Sequence, residues 1–222
     1  MNAPPGKALF VYVGAFTMPE RKGKGDGINV YRMDPSSGVW THLQLVPNVV
    51  NPSFLALDRE QRFLYSVHAD LDGTLGARTD LAMLSGEAGP NRKEHASSHP
   101  HDCPFDPAGR FILVADKGLD RVFSFKLDSA SGKLTPNDPP FTATREGAGP
   151  RHIAFHPAMS HAYVIDELDS TMTTYRYDPA RGALQPVQVV PTVPPSFTGN
   201  NSGGGGRRRP VGAFCVWLEP RA

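Results

Sequence analysis

Gly149–Asp178 reads GPRHIAFHPAMSHAYVIDELDSTMTTYRYD, and its pattern occurs once before, at His99–Asp128, as HPHDCPFDPAGRFILVADKGLDRVFSFKLD. Pro100 aligns with Pro150, Asp106-Pro107 with His156-Pro157, Val114-Ala115-Asp116 with Val164-Ile165-Asp166, and Asp128 with Asp178, each pair 50 positions apart. A partial third copy, Asn51–Asp58 followed by Arg62–Val67, puts Pro52 48 positions before Pro100. A period of roughly 40 to 50 residues made of short strands is the mark of a β-propeller blade.

Within a repeat the pattern predicts four strands: an apolar first strand at Ile153–Phe155, a second at Ala162–Ile165, an alternating third at Met172–Tyr177 and an edge strand at Pro186–Val190. Turn residues separate them. Asp-Pro-x-x-Gly closes the last hairpin at Asp34–Gly38 and Asp178–Gly182, with Asp128–Gly132 as its variant. The glycine supplies the positive φ such turns need. The fold class expected is therefore all-β, a propeller of four-stranded antiparallel blades.

Antiparallel strands send successive loops to opposite ends of a sheet. Ser98–Asp102, Asp116–Asp120, Gly149–His152 and Asp166–Ser170 then share one end, and they carry His99, His101, Asp102, Asp116, Lys117, Arg151, His152, Asp166 and Glu167. The loops of the other end, Asp106–Arg110 and Asp128–Lys133, hold turn-type residues. Ionisable groups converging on one mouth of a scaffold make that mouth the candidate site.

Several strings resemble one family in order and at blade spacing: Tyr12–Thr17, Arg92–His101, Asp116–Val122, Gly149-Pro150-Arg151-His152 and Glu167-Leu168. The chain resembles the lactonase family of seven-bladed propellers, typified by one class of bacterial 6-phosphogluconolactonase, over about residues 8 to 202. The resemblance implies hydrolysis of a sugar lactone, a carboxylic-ester hydrolase reaction of carbohydrate metabolism, in a channel lined by Arg151 and the histidines.

Composition agrees with a turn-rich β protein: 222 residues, 39% hydrophobic, 22 Gly and 22 Pro. A formal net charge of +1 argues against a nucleic-acid surface, and no apolar run has the length of a membrane span. The N-terminal run continues directly into the first repeat, so no signal peptide is expected. Two cysteines, Cys103 and Cys215, form no disulfide framework and fit a reducing cytoplasm.

Two irregularities interrupt the pattern. Residues 8–46 match only the second to fourth strands of a blade, Tyr12 with Tyr163 and Gly38 with Gly182. At Ala69–Gly73 a second strand runs straight into a turn: Asp116 to Gly132 spans 16 positions, Asp70 to Gly73 spans 3, so about 13 residues, one third strand, are missing. Blade repeats are expected near 8–46, 51–84, 99–142 and 149–192, about three and a half blades of a seven-bladed family, with unpaired strand edges that invite self-association. Residues 203–222, a Gly block and an Arg block, are expected to be a disordered tail unrelated to the repeats.

Lactone hydrolysis needs a base, an electrophilic stabiliser and handles for the substrate. Arg151 suits the oxyanion or a phosphate, and His101, His152 or Glu167 suits the base. His99, Asp116, Lys117 and Asn200 complete the substrate-binding candidates, Lys117 for an acidic substituent. The plainer readings are that Asp116 and Asp166 form turns, and that Arg92-Lys93 is a solvated charge run. His99, His101, Asp102, Asp116 and Glu167 also offer ligands to a divalent ion, since His99 and His101 share strand parity, but the resemblance implies no metal and no cofactor. Two other functions fit the same residues: a non-catalytic propeller scaffold, and a muconate-type cycloisomerase.

Overall fold

The computed structural model describes residues 9–19, 23–47, 49, 51–57, 64–68, 80–87, 89–91, 94–128, 130–156, 160–198, 201–208 and 214–220. These residues hold strands and turns, and no helix of the described residues is long and apolar enough to cross a membrane. The chain divides into two compact units, Met1–Leu55 with His68–Arg78, and Ala56–Val67 with Thr79–Ala222.

In the first unit, β1 (Leu9–Gly14), β2 (Gly27–Met33) and β3 (Trp40–Pro47) form a three-stranded antiparallel sheet. These are the three strands expected from residues 8–46. Asn51, fully buried and at φ 45°, accepts the backbone N–H groups of Thr17 (2.9 Å) and Met18 (3.0 Å) on its amide oxygen. That pairing ties the loop after β1 to the start of the next repeat. β4 (Pro52–Leu57) and β5 (Leu64–His68) follow as a two-stranded sheet. The junction read at Ala69–Gly73 lies outside the described residues.

In the second unit, two complete four-stranded sheets follow each other in sequence order. One is β6 (Pro100–Asp102), β7 (Phe111–Asp116), β8 (Arg121–Asp128) and β9 (Lys133–Ala143). The other is β10 (Pro150–Phe155), β11 (His161–Asp166), β12 (Thr171–Asp178) and β13 (Ala183–Pro191). Pro100 and Pro150, Phe111 and His161, Arg121 and Thr171, and Lys133 and Ala183 each open a strand, so the 50-residue period holds strand for strand. These are the four-stranded antiparallel blades of a propeller.

The alternation of the strands builds a shared core from Leu113, Ala115 and Val122 of one blade and Ile153, Phe155, Val164, Tyr175, Tyr177 and Leu184 of the other. At roughly 1.5–3 kcal/mol for each large apolar side chain buried, this face supplies most of the force holding the two sheets together. Buried polar groups cross the same seam. Tyr177 donates its hydroxyl to Asp106 Oδ2 at 3.0 Å, and Ser124 donates to the Gly182 carbonyl at 2.9 Å.

The last-hairpin turns behave as one device. Gly38, Gly132 and Gly182 have φ of 71°, 73° and 63°, and each donates its N–H to the carbonyl of the aspartate four residues earlier at 2.8 Å. The aspartate side chain accepts the N–H two residues on, from Ser36, Ala130 and Ala180.

Residues 203–208 and 214–220 are strands where a disordered tail was expected. Asn201–Arg208 (β14) pairs antiparallel with Phe214–Pro220 (β15), and β14 lies against β10. Glycine backbone can join a ladder without any alternation of apolar side chains, which is the signal the sequence reading sought.

The turn glycines generate a prediction. A Cβ at Gly38 would meet nothing within 4 Å, whereas one at Gly182 would run into the Phe111 ring of the neighbouring blade. Gly38→Ala should therefore cost only the left-handed strain, about 1 kcal/mol. Gly182→Ala adds overpacking and should cost about 2–4 kcal/mol. Urea unfolding, read in the transition of each glycine's own unit, checks the ordering; equal losses would refute it.

Candidate functional site

The four loops assigned to one end of the sheets do converge. Arg151, at the start of β10, directs its Nε–H to His101 Nε2 at 3.1 Å and lies 3.1 Å from Glu167 Oε2. Lys117, in the β7–β8 turn, places Nζ 3.6 Å from the same Glu167 oxygen and 2.8 Å from Glu94. His152 packs edge-to-face on His101 with ring centres 4.9 Å apart, and its Nδ1 lies 3.6 Å from Asp102 Oδ2. His99 joins the cluster through its backbone, donating N–H to Asp116 Oδ1 at 2.7 Å and accepting the Lys117 N–H at 3.1 Å. Asn200 lies outside the described residues.

Geometry sorts these residues into an accessible pair and its supports. The side chains of Arg151 and His152 are 16% and 20% exposed, while those of Glu167, Asp102 and Lys117 are 5%, 4% and 7% exposed. Glu167 is held between two cations, so its carboxylate is already engaged in orienting Arg151 and Lys117. Its backbone N–H is fixed in turn by the Gly149 carbonyl at 2.8 Å.

His101 lies beneath the accessible pair, in contact with Arg151. Burial first, and then the positive charge of Arg151 beside it, pull its pKa down to about 2. It is a neutral imidazole whose Nε2 lone pair is occupied by Arg151, which makes it an acceptor that sets the guanidinium plane.

Asp116 is held within its own loop. It is fully buried, with Oδ1 accepting the N–H groups of His99, Gly118 (2.9 Å) and Leu119 (3.1 Å), and Oδ2 accepting the Ser98 hydroxyl. Its oxygens face the loop backbone, so it shapes the Lys117 turn. The turn-forming reading describes it. For the metal reading, no group of three or more His, Cys, Asp or Glu side chains suited to an ion occurs among the described residues.

One participant, Glu94, was missed as a site candidate, and Asp102 was placed at this mouth without a part in the hydrolysis. Asp102 accepts the Ile153 N–H at 2.8 Å while its Oδ2 faces the His152 ring. Glu94 lies in the loop before the repeat and reaches Lys117. His and Asp at 152 and 102 fall 50 apart, a spacing that would have paired them once the blades were stacked. A separate cavity of about 520 Å³, lined by Pro139, Ser160, Tyr177 and Arg181 among others, lies at the other end of the strands by the β12–β13 turn.

A family model described as "Lactonase, 7-bladed beta-propeller" matches residues 10–75 and 66–217. The chain belongs to this family. The two matched stretches meet where the missing third strand was read. The 6-phosphogluconolactonase of Bacillus subtilis (strain 168) is 32% identical over 211 residues, covering 90% of this chain and 58% of that protein. That of Serratia proteamaculans (strain 568) is 29% identical over 188 residues, covering 85% and 56%. Among solved structures, the periplasmic gluconolactonase of Pseudomonas aeruginosa superposes with a TM-score of 0.82 at 25% identity, over 98% of this chain and 64% of that one. The chain thus spans a little over half the length of these lactonase relatives.

Asp166, which opens the Glu167 loop, gives a pH prediction. Burial raises its pKa from 3.8 to about 7, although Thr173 donates to Oδ2 at 2.7 Å. A carboxyl whose folded pKa lies above its unfolded value contributes stability that is complete below about pH 4 and is lost as pH rises to about 7. Asp166→Asn should flatten that fall and leave the protein about 2–4 kcal/mol more stable relative to wild type at pH 8 than at pH 4. Denaturant midpoints across this range test it; parallel pH curves for the two proteins would disprove it.

Proposed function

We propose that the chain is a sugar-lactone hydrolase of the 6-phosphogluconolactonase type. The observation that carries this reading is the pairing of an accessible Arg151 and an accessible His152 above buried carboxylates, in a chain of the lactonase family. His152 takes a proton from the attacking water. Asp102, 3.6 Å from Nδ1, stabilises the imidazolium that forms by its charge. Arg151 stabilises the charge that builds on the carbonyl oxygen as the tetrahedral intermediate forms. Ring opening then takes a proton from the imidazolium onto the departing ring oxygen, and His152 is regenerated.

His101 and Glu167 serve by holding Arg151 in place before substrate arrives, which lowers the reorganisation needed at the reacting centre. Glu167 is less suited than His152 to be the base because both cations already claim it. A cytoplasmic location is part of the same proposal and is supported by the scarcity of cysteine.

Hydrolysis followed by pH-stat on δ-gluconolactone and its 6-phosphate tests the reading. His152→Ala and Arg151→Ala should each lower kcat/KM by about 100-fold or more with an unchanged far-ultraviolet circular dichroism spectrum. Asp102→Asn should lower it less, by removing support for the imidazolium. A chelator should leave the rate intact. Full activity in both alanine variants would refute the assignment.

A further inference from the structure

The sheet of the first unit ends on one side at β1, which pairs with β2. Ala15, just past β1, donates its N–H to the Gly27 carbonyl at 3.3 Å, in the register that sets Val13 against Asn29 and Val11 against Tyr31. Along an antiparallel ladder, successive residues turn their N–H and C=O groups to one neighbour and then to the other. Leu9, Val11 and Val13 therefore address β2. Phe10 and Tyr12 address the far side, where no strand is paired among the described residues. The side chains of this edge are apolar and open to solvent: Leu9 is 43% exposed, Phe10 54% and Val13 36%.

Sheet edges are ordinarily guarded by proline, charge or a bulge. The outer strands of the two complete blades are guarded in this way: β9 contains Pro136, Pro139 and Pro140, β13 contains Pro186 and Pro191, and the ladder of each shifts register part-way. Residues 9–16, LFVYVGAF, hold no proline and no charge. With no charge, β1 carries nothing that selects a partner of opposite sign. Its residue order instead suits an identical strand. Placed antiparallel about a twofold axis at Val11, two copies of β1 set Phe10 opposite the other copy's Tyr12, Leu9 opposite Val13, and Val11 opposite Val11. Aromatic then meets aromatic on one face and aliphatic meets aliphatic on the other, which are stabilising cross-strand pairs. Phe10 and Tyr12, whose backbone groups address the far side, form the hydrogen-bonded pairs of this arrangement. The association stops at two copies, because each uses the same edge.

We infer that β1 is a dimerisation strand, through which two copies of this chain join by antiparallel pairing of β1 with β1 centred on Val11. Sedimentation velocity of the full chain over a wide concentration range should show a reversible monomer–dimer equilibrium with no larger species. Phe10→Lys puts a charge on the paired edge. Phe10→Pro removes an N–H that points away from β2 and so spares the ladder within the chain. Each should weaken dimerisation by about ten-fold or more without changing the far-ultraviolet circular dichroism spectrum. In a Cys215→Ser chain, Val11→Cys should form a disulfide-linked dimer on mild oxidation, because directly opposed residues of a non-hydrogen-bonded pair have Cα atoms about 4.5 Å apart. Val13→Cys should not, since it lies two positions from the axis and so about 13 Å along the strands from its counterpart. A chain that stays monomeric at every concentration, growth beyond the dimer, or a dimer untouched by both Phe10 substitutions would overturn the assignment. So would cross-linking through Val13→Cys in preference to Val11→Cys, an arm that decides the matter even if the Phe10 variants fail to fold.

Discussion

The arrangement of the site depends on one buried carboxylate, that of Asp120. It sits at φ 51°, in the left-handed region, and accepts the N–H groups of Gly147 and Gly149 at 2.7 Å each. A buried carboxylate is tolerated only when such donors replace its lost water. Because these donors immediately precede the following blade, with Gly149 two residues before Arg151, the carboxylate fixes where β10 begins. The same side chain faces His95 and so also fixes the loop that brings Glu94. One anchoring residue thus sets both Arg151 and Glu94.

Around that anchor the site is layered by burial. Arg151 and His152 lie where solvent reaches, and beneath them Glu167, Asp102, Lys117 and His101 occupy one another's charges and lone pairs. Buried ions are costly unless paired, and the pairing here leaves little freedom for the two upper groups to turn. Preorganisation of this kind is what a hydrolytic site needs, since it stabilises developing charge without rearranging at the moment of reaction.

The strands were legible in the sequence because the period, the alternation and the Asp-Pro-x-x-Gly turns all report backbone geometry, which depends on local residue type. Convergence of the four loops was legible too, since antiparallel order fixes which ends of a sheet the loops reach. Side-chain partners were less so. Asp116 and Glu167 are both acidic residues where a strand ends, yet one turns inward onto loop amides and the other meets two cations. Only tertiary packing separates them. Glu94 escaped because it belongs to no repeat, and β14 because its glycines carry no apolar signal.

The repeat copies backbone without copying the residues that join blade to blade. Asp102, Asp106 and Asp120 grip the following blade through Ile153, Tyr177 and the Gly147–Gly149 segment. Fifty positions later the same places hold His152, His156 and Ser170, none of them a carboxylate. The two blades are therefore not interchangeable modules: exchanging them would preserve every strand and lose the junction. Divergence between the copies has also divided labour. The position that is a structural clasp in the first blade carries, in the second, the partly exposed imidazole of His152.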